Sequence, residues 1–346
     1  MSKNILNNII RFFLSLTAIV IILSSFSVQN ISAKNNILQK TIEKDTLKVM
    51  FWNVENYFDI YDDPNIIDEE FLPTSDKHWN SNRYNKKRDD IAKTIIAASG
   101  KLGEMPILIG VSEIENYKVL NDLIKKTSLS KYDYKIVHKD SPDHRGIDCA
   151  LLYRESAFKV KSAEYLKVVL QDKNHPTRDI VHVYGYSKDL KIKVHVYVNH
   201  WPSKWGGAEK TNPNRIAAAK VLANSIKNVR AQEPDAKIII MGDLNDTPGS
   251  EPIMCLMQDK TLVDLISPLD AKGMGTIRYR GDWECLDHFI INKNELKGDI
   301  QIYSPKFLIQ YDKKYRENKP FRTYYGPHYN KGISDHFPIL LKVVLK

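Results

Sequence analysis

The chain has 346 residues, with 51 Lys and Arg against 42 Asp and Glu and a formal charge of +9. A basic excess of that size suits a polyanionic substrate and ordinary solubility equally, so charge alone selects no partner. The absence of any Cys-x-x-Cys pair excludes the usual structural zinc sites.

Lys3 and Arg11 precede an apolar run from Phe12 to Ser24, and the polar stretch Ser25–Asn36 follows. That is the order of a secretory signal. The run's 13 residues fall short of the roughly 18 needed for a membrane span. Cleavage is expected after Ala33, giving a signal peptide at 1–33 and a folded domain at 45–346. An uncleaved N-terminal anchor is the minor alternative, and no Cys follows the run to carry a lipid. Cleavage removes two bases and no acid, leaving 49 basic against 42 acidic residues, or +7. The expected product is a secreted or periplasmic monomer without a stable membrane anchor. Its cysteines are Cys149, Cys255 and Cys285. An odd count leaves at least one thiol unpaired. A buried free Cys149 is expected, and a Cys255–Cys285 bridge stays open.

Strand-like runs follow at Leu47–Val54, Ile107–Val111, Tyr134–His138, Ile147–Tyr153, Asp179–Tyr186, Lys191–Asn199, Lys237–Met241, Leu286–Ile291 and Phe337–Leu345. Helical spacing marks Arg88–Ser99, and Thr211-Asn212-Pro213 is a start signal for a helix over Arg215–Val229. The segment Asp59–Tyr84 is a long irregular insertion. No linker or repeat divides the chain. Many strands with few helices favour an α/β fold of two packed sheets with helices outside.

Five of these runs end on polar groups. In the first, Asn53 and Glu55 follow an alternating strand, and period-2 geometry puts both on one face. In the second, Ile107-Leu108-Ile109-Gly110-Val111-Ser112 delivers Glu113. A strand-end glutamate suits a hard divalent cation, and equally a helix cap. The third ends at His200, where Pro202 prevents continuation; an imidazole there can bond a phosphate oxygen or protonate a leaving group. His195, in mid-strand, is a structural or surface residue. The fourth, Ile238-Ile239-Ile240-Met241-Gly242, delivers Asp243 and Asn245, again two apart. The fifth pairs Asp287-His288 with Asp335-His336. A carboxylate that fixes the tautomer of an imidazole makes a base able to activate water. His336 is the candidate base, Asp287 its partner, and His288 is expected to point away. Each motif alone has an ordinary structural explanation; five polar strand exits together point to metal-assisted phosphoester chemistry.

The motifs Phe51-Trp52-Asn53-Val54-Glu55-Asn56, Gly110-Val111-Ser112-Glu113, Asn199-His200-Trp201-Pro202, Gly242-Asp243-Leu244-Asn245, Leu286-Asp287 and Ser334-Asp335-His336-Phe337-Pro338 together resemble the endonuclease/exonuclease/phosphatase superfamily. DNase I-like nucleases, sphingomyelinases and inositol-polyphosphate 5-phosphatases share that fold. The run Arg145–Tyr153 resembles a secreted bacterial branch of it. The resemblance implies a four-layer α/β sandwich, two mixed sheets flanked by helices, with the active site where strand ends converge. It implies Glu113 as the main Mg²⁺ ligand, with Asn53 and Asp335 assisting and Mn²⁺ or Ca²⁺ as substitutes. Asp243 and Asn245 would position water and phosphate. Either His336, oriented by Asp287, or Asp243 would be the base, and His200 would steady the phosphate or act as acid. Arg145 and Lys204 are candidate phosphate contacts.

The substrate is less defined. Tyr311–Asn330 interleaves Lys313, Lys314, Arg316, Lys319 and Arg322 with five tyrosines just before Asp335. Such a segment can hold phosphates and stack on bases, or be a solvated loop. The basic run Arg83–Arg88 is an exposed helix start or an anion contact. Asp62, Asp63, Asp68, Glu69 and Glu70 lack the glycine of an EF-hand loop. Nucleic acid is the leading substrate, and small or lipid phosphoesters are the alternative.

Overall fold

The computed structural model describes residues 46–346; the expected signal peptide at 1–33 lies outside the described residues. The first strands are β1 (Leu47–Tyr57), β2 (Leu108–Ile114), β3 (Tyr134–Val137) and β4 (Asp148–Arg154). Then come β5 (Phe158–Leu166), β6 (Ile180–Ser187), β7 (Ile192–His200), β8 (Ile238–Asp243) and β9 (Leu262–Asp264). The hairpin β10 (Ile277–Tyr279) and β11 (Asp282–Glu284) precedes β12 (Asp287–Asn292) and β13 (Leu296–Ile302). A second hairpin, β14 (Ile309–Asp312) and β15 (Glu317–Pro320), and a short third, β16 (Tyr324–Tyr325) and β17 (His328–Tyr329), lead to β18 (Ile339–Leu345). The longer helices are α1 (Ser81–Leu102), α2 (Tyr117–Lys125) and α3 (Ala208–Gln232).

Two six-stranded sheets result, ordered β13-β18-β1-β2-β4-β3 and β5-β6-β7-β8-β12-β9. Each has a single parallel pair near its middle, β1 with β2 and β7 with β8. A parallel pair needs a crossover, and α1 and α3 lie on those two connections. The parallel strands bring their C-terminal ends, and their antiparallel neighbours β4, β6, β12 and β18 their N-terminal ends, to one edge. That shared edge is why the five polar exits meet.

The all-apolar Ile238–Met241 is explained by burial on both faces. Ile239 and Met241 join the core between the sheets, with Val49 and Phe51. Ile238 and Ile240 pack outward with Ala218, Ala219 and Leu222 of α3. Gly110 marks a close approach of the sheets, since a Cβ there would lie 2.4 Å from Met241 Sδ.

Several boundaries differ from the sequence expectation. Helix α3 begins at Ala208, with Pro213 inside it. Proline costs the helix one bond, and the side chain of the fully buried Arg215 holds the first turn instead. Its guanidinium donates to Ala208 O at 2.9 Å and to Thr211 Oγ1 at 2.8 Å. The insertion Asp59–Tyr84 stays largely irregular, with a short 3₁₀ turn at Glu69–Phe71. It ends early because Asn80 caps α1, accepting from Asn82 N and Arg83 N. Cys149, Cys255 and Cys285 are all free thiols, so the Cys255–Cys285 bridge does not form. His195 is structural as expected, with Nδ1 at 3.0 Å from His182 Nε2. Among the described residues no helix is long and apolar enough to cross a membrane.

Gly242 ties the fold to the polar edge. A Cβ there would lie 2.4 Å from Asn199 O on the neighbouring strand. Gly242→Ala is therefore expected to lower stability by about 1–3 kcal/mol through forced separation of β7 and β8. Urea unfolding checks this; an unchanged midpoint would show that the strands part without cost.

Candidate active site

Two strand ends build the site by the same local device. Asp243 Oδ1 accepts the backbone N–H of Asn245 at 2.9 Å, and Asn53 Oδ1 accepts that of Glu55 at 3.0 Å. These are Asx turns, in which a short side chain stands in for the strand partner. The residue two places on then enters the left-handed region, with φ of 52° at both Asn245 and Glu55. Asn56 and Glu113 follow at 50° and 61°. Such conformations cost a non-glycine residue roughly 1–2 kcal/mol each and cluster where a site over-determines the backbone.

The turns correct the shared-face expectation at both places. Strand β8 ends at Asp243, and Asn245 Nδ2 turns back to Trp201 O at 2.9 Å. Glu55 swings out of the site. Its carboxylate accepts from Thr323 N at 2.6 Å and from Arg322 Nε at 3.3 Å, gripping the segment before Asp335. Lys87, from the basic run expected to be a wet helix face, is 2% exposed. It donates to Glu55 O and Thr323 Oγ1, both at 2.6 Å, and so serves the same clasp.

Asp243 Oδ2 is the hub. Asn53 Nδ2 donates to it at 3.0 Å, His200 Nε2 lies 3.6 Å away and His336 Nε2 3.7 Å away. Behind His336, Nδ1 meets Asp287 Oδ2 at 2.7 Å, the orienting contact expected from the sequence. Asn53 Nδ2 also approaches Glu113 Oε1 at 3.4 Å, and Asn56 N donates to Glu113 Oε2 at 2.8 Å. Ser334 Oγ fixes the crossing, donating to Asn53 O at 2.7 Å and accepting His336 N at 3.0 Å. His288 points away, to Asp264 at 2.9 Å and Asp246 O at 2.8 Å.

The two histidines sit in opposite fields. Burial disfavours charge on both. At His336 the Asp287 and Asp243 carboxylates outweigh it and raise the imidazole well above its ordinary range. At His200 burial is reinforced by Arg178, Arg145 and His336, which hold it well below that range. Burial pushes Asp243 up to about 6, against the opposing charge of His336.

Other expected residues stand further out. Asp335 is half-buried and pairs with Arg322 Nη2 at 3.3 Å. Arg145 reaches the mouth, donating to Asn56 Oδ1 at 2.9 Å. Lys204 meets Glu284 at 2.9 Å and Asp246 at 3.8 Å, so its charge is already matched. Arg178 joins them without any signal in the sequence. It donates to His200 O at 3.2 Å, Trp201 O at 2.7 Å and Asp143 Oδ2 at 3.0 Å, locking the end of β7. A lone arginine before a strand has no pattern that marks such a role.

Two acceptor sets could serve a cation. One atom each from Asp243, Asp287 and His336 lie within 4.8 Å of one another. In that set His336 Nδ1 and Asp287 Oδ2 already satisfy each other. Glu113, only partly buried beside Asn53, offers the reachable oxygen that a hard divalent ion prefers. The donor chemistry therefore fits a divalent metal.

A model of the endonuclease/exonuclease/phosphatase family matches residues 48–345. The chain belongs to that family. Its members hydrolyse phosphoester bonds, and enzymes of this fold typically use divalent metals. Solved structures agree on the fold. The human nocturnin catalytic domain is 14% identical at TM-score 0.56, covering 87% of this chain and 95% of its own. A mannosyl-6-phosphatase from Bacteroides thetaiotaomicron is 15% identical at TM-score 0.57, covering 86% and 99%. The D. rerio TDP2 complexed with single-strand DNA product is 14% identical at TM-score 0.53, covering 86% and 98%. No curated protein matches the chain.

The opposed fields predict distinct titrations in the metal-free protein. Followed by NMR of the imidazole nitrogens, His336 should keep its proton as pH rises above 6.5, the ordinary histidine value. His200 should stay neutral as pH falls below it. Asp287→Asn should bring His336 down; an unmoved His336 would remove Asp287 as the source of its charge.

Proposed function

We propose that the protein is a secreted, Mg²⁺-dependent phosphodiesterase that cleaves nucleic acid by attack of water on phosphorus. The observation that carries the hydrolytic part is the line Asp287–His336–Asp243, with Asn53 and Glu113 beside its open end. A phosphodiester is anionic and repels an incoming nucleophile, so hydrolysis needs charge neutralisation and a positioned water. The first is what a divalent cation supplies when bound at Glu113 with Asn53, and Asp335 is available once freed from Arg322. The second falls to Asp243 and His336, which are close enough to titrate as one unit. As the water oxygen bonds to phosphorus, its proton passes to the Asp243 carboxylate, since His336 beside it already carries one, and the bond to the leaving oxygen breaks as that oxygen takes up a proton from solvent. His200, held neutral, donates a hydrogen bond to a phosphoryl oxygen. Arg145 at the mouth meets the phosphate, and the paired Lys204 is a weaker candidate.

The substrate class is supported by the wall above His336. An isolated bridge joins Ile277 to His336, so the β10–β11 hairpin rises directly from the site. It is tied to β14–β15 by Arg278, which donates to Asn318 O at 2.9 Å and pairs with Glu317 at 2.6 Å. The two hairpins expose Tyr279 and Tyr311 beside Arg280, Lys313, Lys314 and Arg316. Tyrosine faces for bases and cations for phosphates are what a single strand requires. The DNA product bound to the structurally similar TDP2 supports the same substrate class.

A second reading, hydrolysis of small phosphoesters, draws on a cavity of about 690 Å³ on the other side of Glu55. Its wall sets Glu69, Glu70 and Asp76 beside Lys77 and Arg322, with Lys77 paired to Glu70, a mixture of acceptors and cations that can bond hydroxyls. The likeness to a mannosyl-6-phosphatase favours this reading too. Plasmid and single-stranded DNA, offered beside sugar phosphates, decide between them. Mg²⁺-dependent nicking abolished by chelator is expected; phosphate release from sugar phosphates alone would transfer the function to the second reading. His336→Ala and Asp243→Asn should each lower kcat by about 10²–10⁴-fold in protein that is still folded at the assay temperature by circular dichroism. A rate within about twofold of the parent, too small for a proton-transfer group, would remove that residue from the chemistry.

A further inference from the structure

From the geometry we infer a second divalent-cation site, formed by His138, Asp140 and Asp148 at the base of the loop between β3 and β4, separate from the Glu113 site and suited to Zn²⁺ or Mn²⁺. His138 Nε2 is hydrogen-bonded to Asp148 Oδ2 at 3.1 Å, a contact that a shared ion would replace, and lies 3.9 Å from Asp140 Oδ1. Ligands each about 2.0–2.2 Å from one ion stand roughly 3.0–3.5 Å apart in tetrahedral or octahedral arrangements. The three side chains therefore need little movement to share an ion. The side chains of His138 and Asp148 are 2% and 3% exposed, whereas Asp140 is 82% exposed. Two ligands are preset by packing and the third closes from solvent, leaving an open position for water. One imidazole with two carboxylates selects a divalent transition ion over Ca²⁺, which takes oxygen ligands alone.

A second observation points the same way. Ser141 N already donates to Asp148 Oδ1 at 2.9 Å, which fixes that carboxylate and turns its other oxygen to His138. Asp179, at the start of β6 and 5% exposed, has Oδ1 without a hydrogen-bond partner. Burial raises its carboxyl, Lys139 and Lys167 oppose that rise, and the charge of Asp148 adds to it, so Asp179 lies within electrostatic reach of Asp148.

The loop between these ligands carries two residues that reach the active site. Asp143 holds Arg178 at 3.0 Å, and Arg145 holds Asn56 at 2.9 Å. An ion joining the loop's two ends would fix both, so the site would act as a clamp on the mouth.

The test is Zn²⁺ binding to the whole secreted chain, by equilibrium dialysis with metal analysis, in saturating Mg²⁺ to occupy the oxygen-rich site. One Zn²⁺ per chain is expected, with affinity reduced at least about tenfold in Asp140→Ala and lost in His138→Gln. Zn²⁺ should also raise the melting temperature of the parent and leave that of Asp140→Ala unchanged. Asp140 is exposed, so its variant folds and decides the matter even where His138→Gln does not. Absence of bound Zn²⁺ in the parent, or parental affinity in Asp140→Ala, overturns the site.

Discussion

One buried carboxylate oxygen, Asp243 Oδ2, sets the terms for everything around it. It lies between the two sheets at a residue 2% exposed, where an unpaired charge is costly. Asn53 Nδ2, His200 Nε2 and His336 Nε2 surround it, one from the first sheet, one from the adjacent parallel strand and one from the approach to β18. No local stretch of chain could bring together one amide donor and two imidazoles. The sheets must therefore stack at this separation and in this register for Asp243 to remain where it is.

The backbone around the hub is correspondingly constrained. Asn53 and Asp243 each close a turn on the residue two places on, and four non-glycine residues adopt left-handed conformations at these exits. The cost is met by contacts across the sheets. Ser334 spans Asn53 and His336, Arg178 ties the end of β7 to the β3–β4 loop, and the Glu55–Arg322–Lys87 clasp secures the segment before Asp335. The polar groups that face substrate are held by a second set of polar groups that do not.

Charge is distributed unevenly around this edge. The side bearing β10–β11 and β14–β15 is basic and rich in tyrosine. The cavity at the irregular insertion mixes Glu69, Glu70 and Asp76 with Lys77 and Arg322.

Much of this was legible in the sequence. The polar ends of apolar runs named Asn53, Glu113, His200, Asp243, Asp287 and His336, because five such exits together outweigh the ordinary explanation each has alone. The pairing of Asp287 with His336 was legible for the same reason. Strand periodicity failed at Glu55 and Asn245, where a side-chain-to-backbone bond turns the chain out of the pleat. The helix start was read too late at Pro213, because the side chain of Arg215 in the same helix holds the turn before it. Arg178, the fate of Lys87 and the partners of Lys204 were invisible, since each depends on a carbonyl or carboxylate far away in the chain. The sequence by itself determined the elements, the family and the cast of polar residues, because burial and period are local properties of neighbouring side chains. Only the tertiary structure decided which of them meet, which are already neutralised and which way each imidazole is charged, because those follow from distances between strands that the sequence does not encode one at a time.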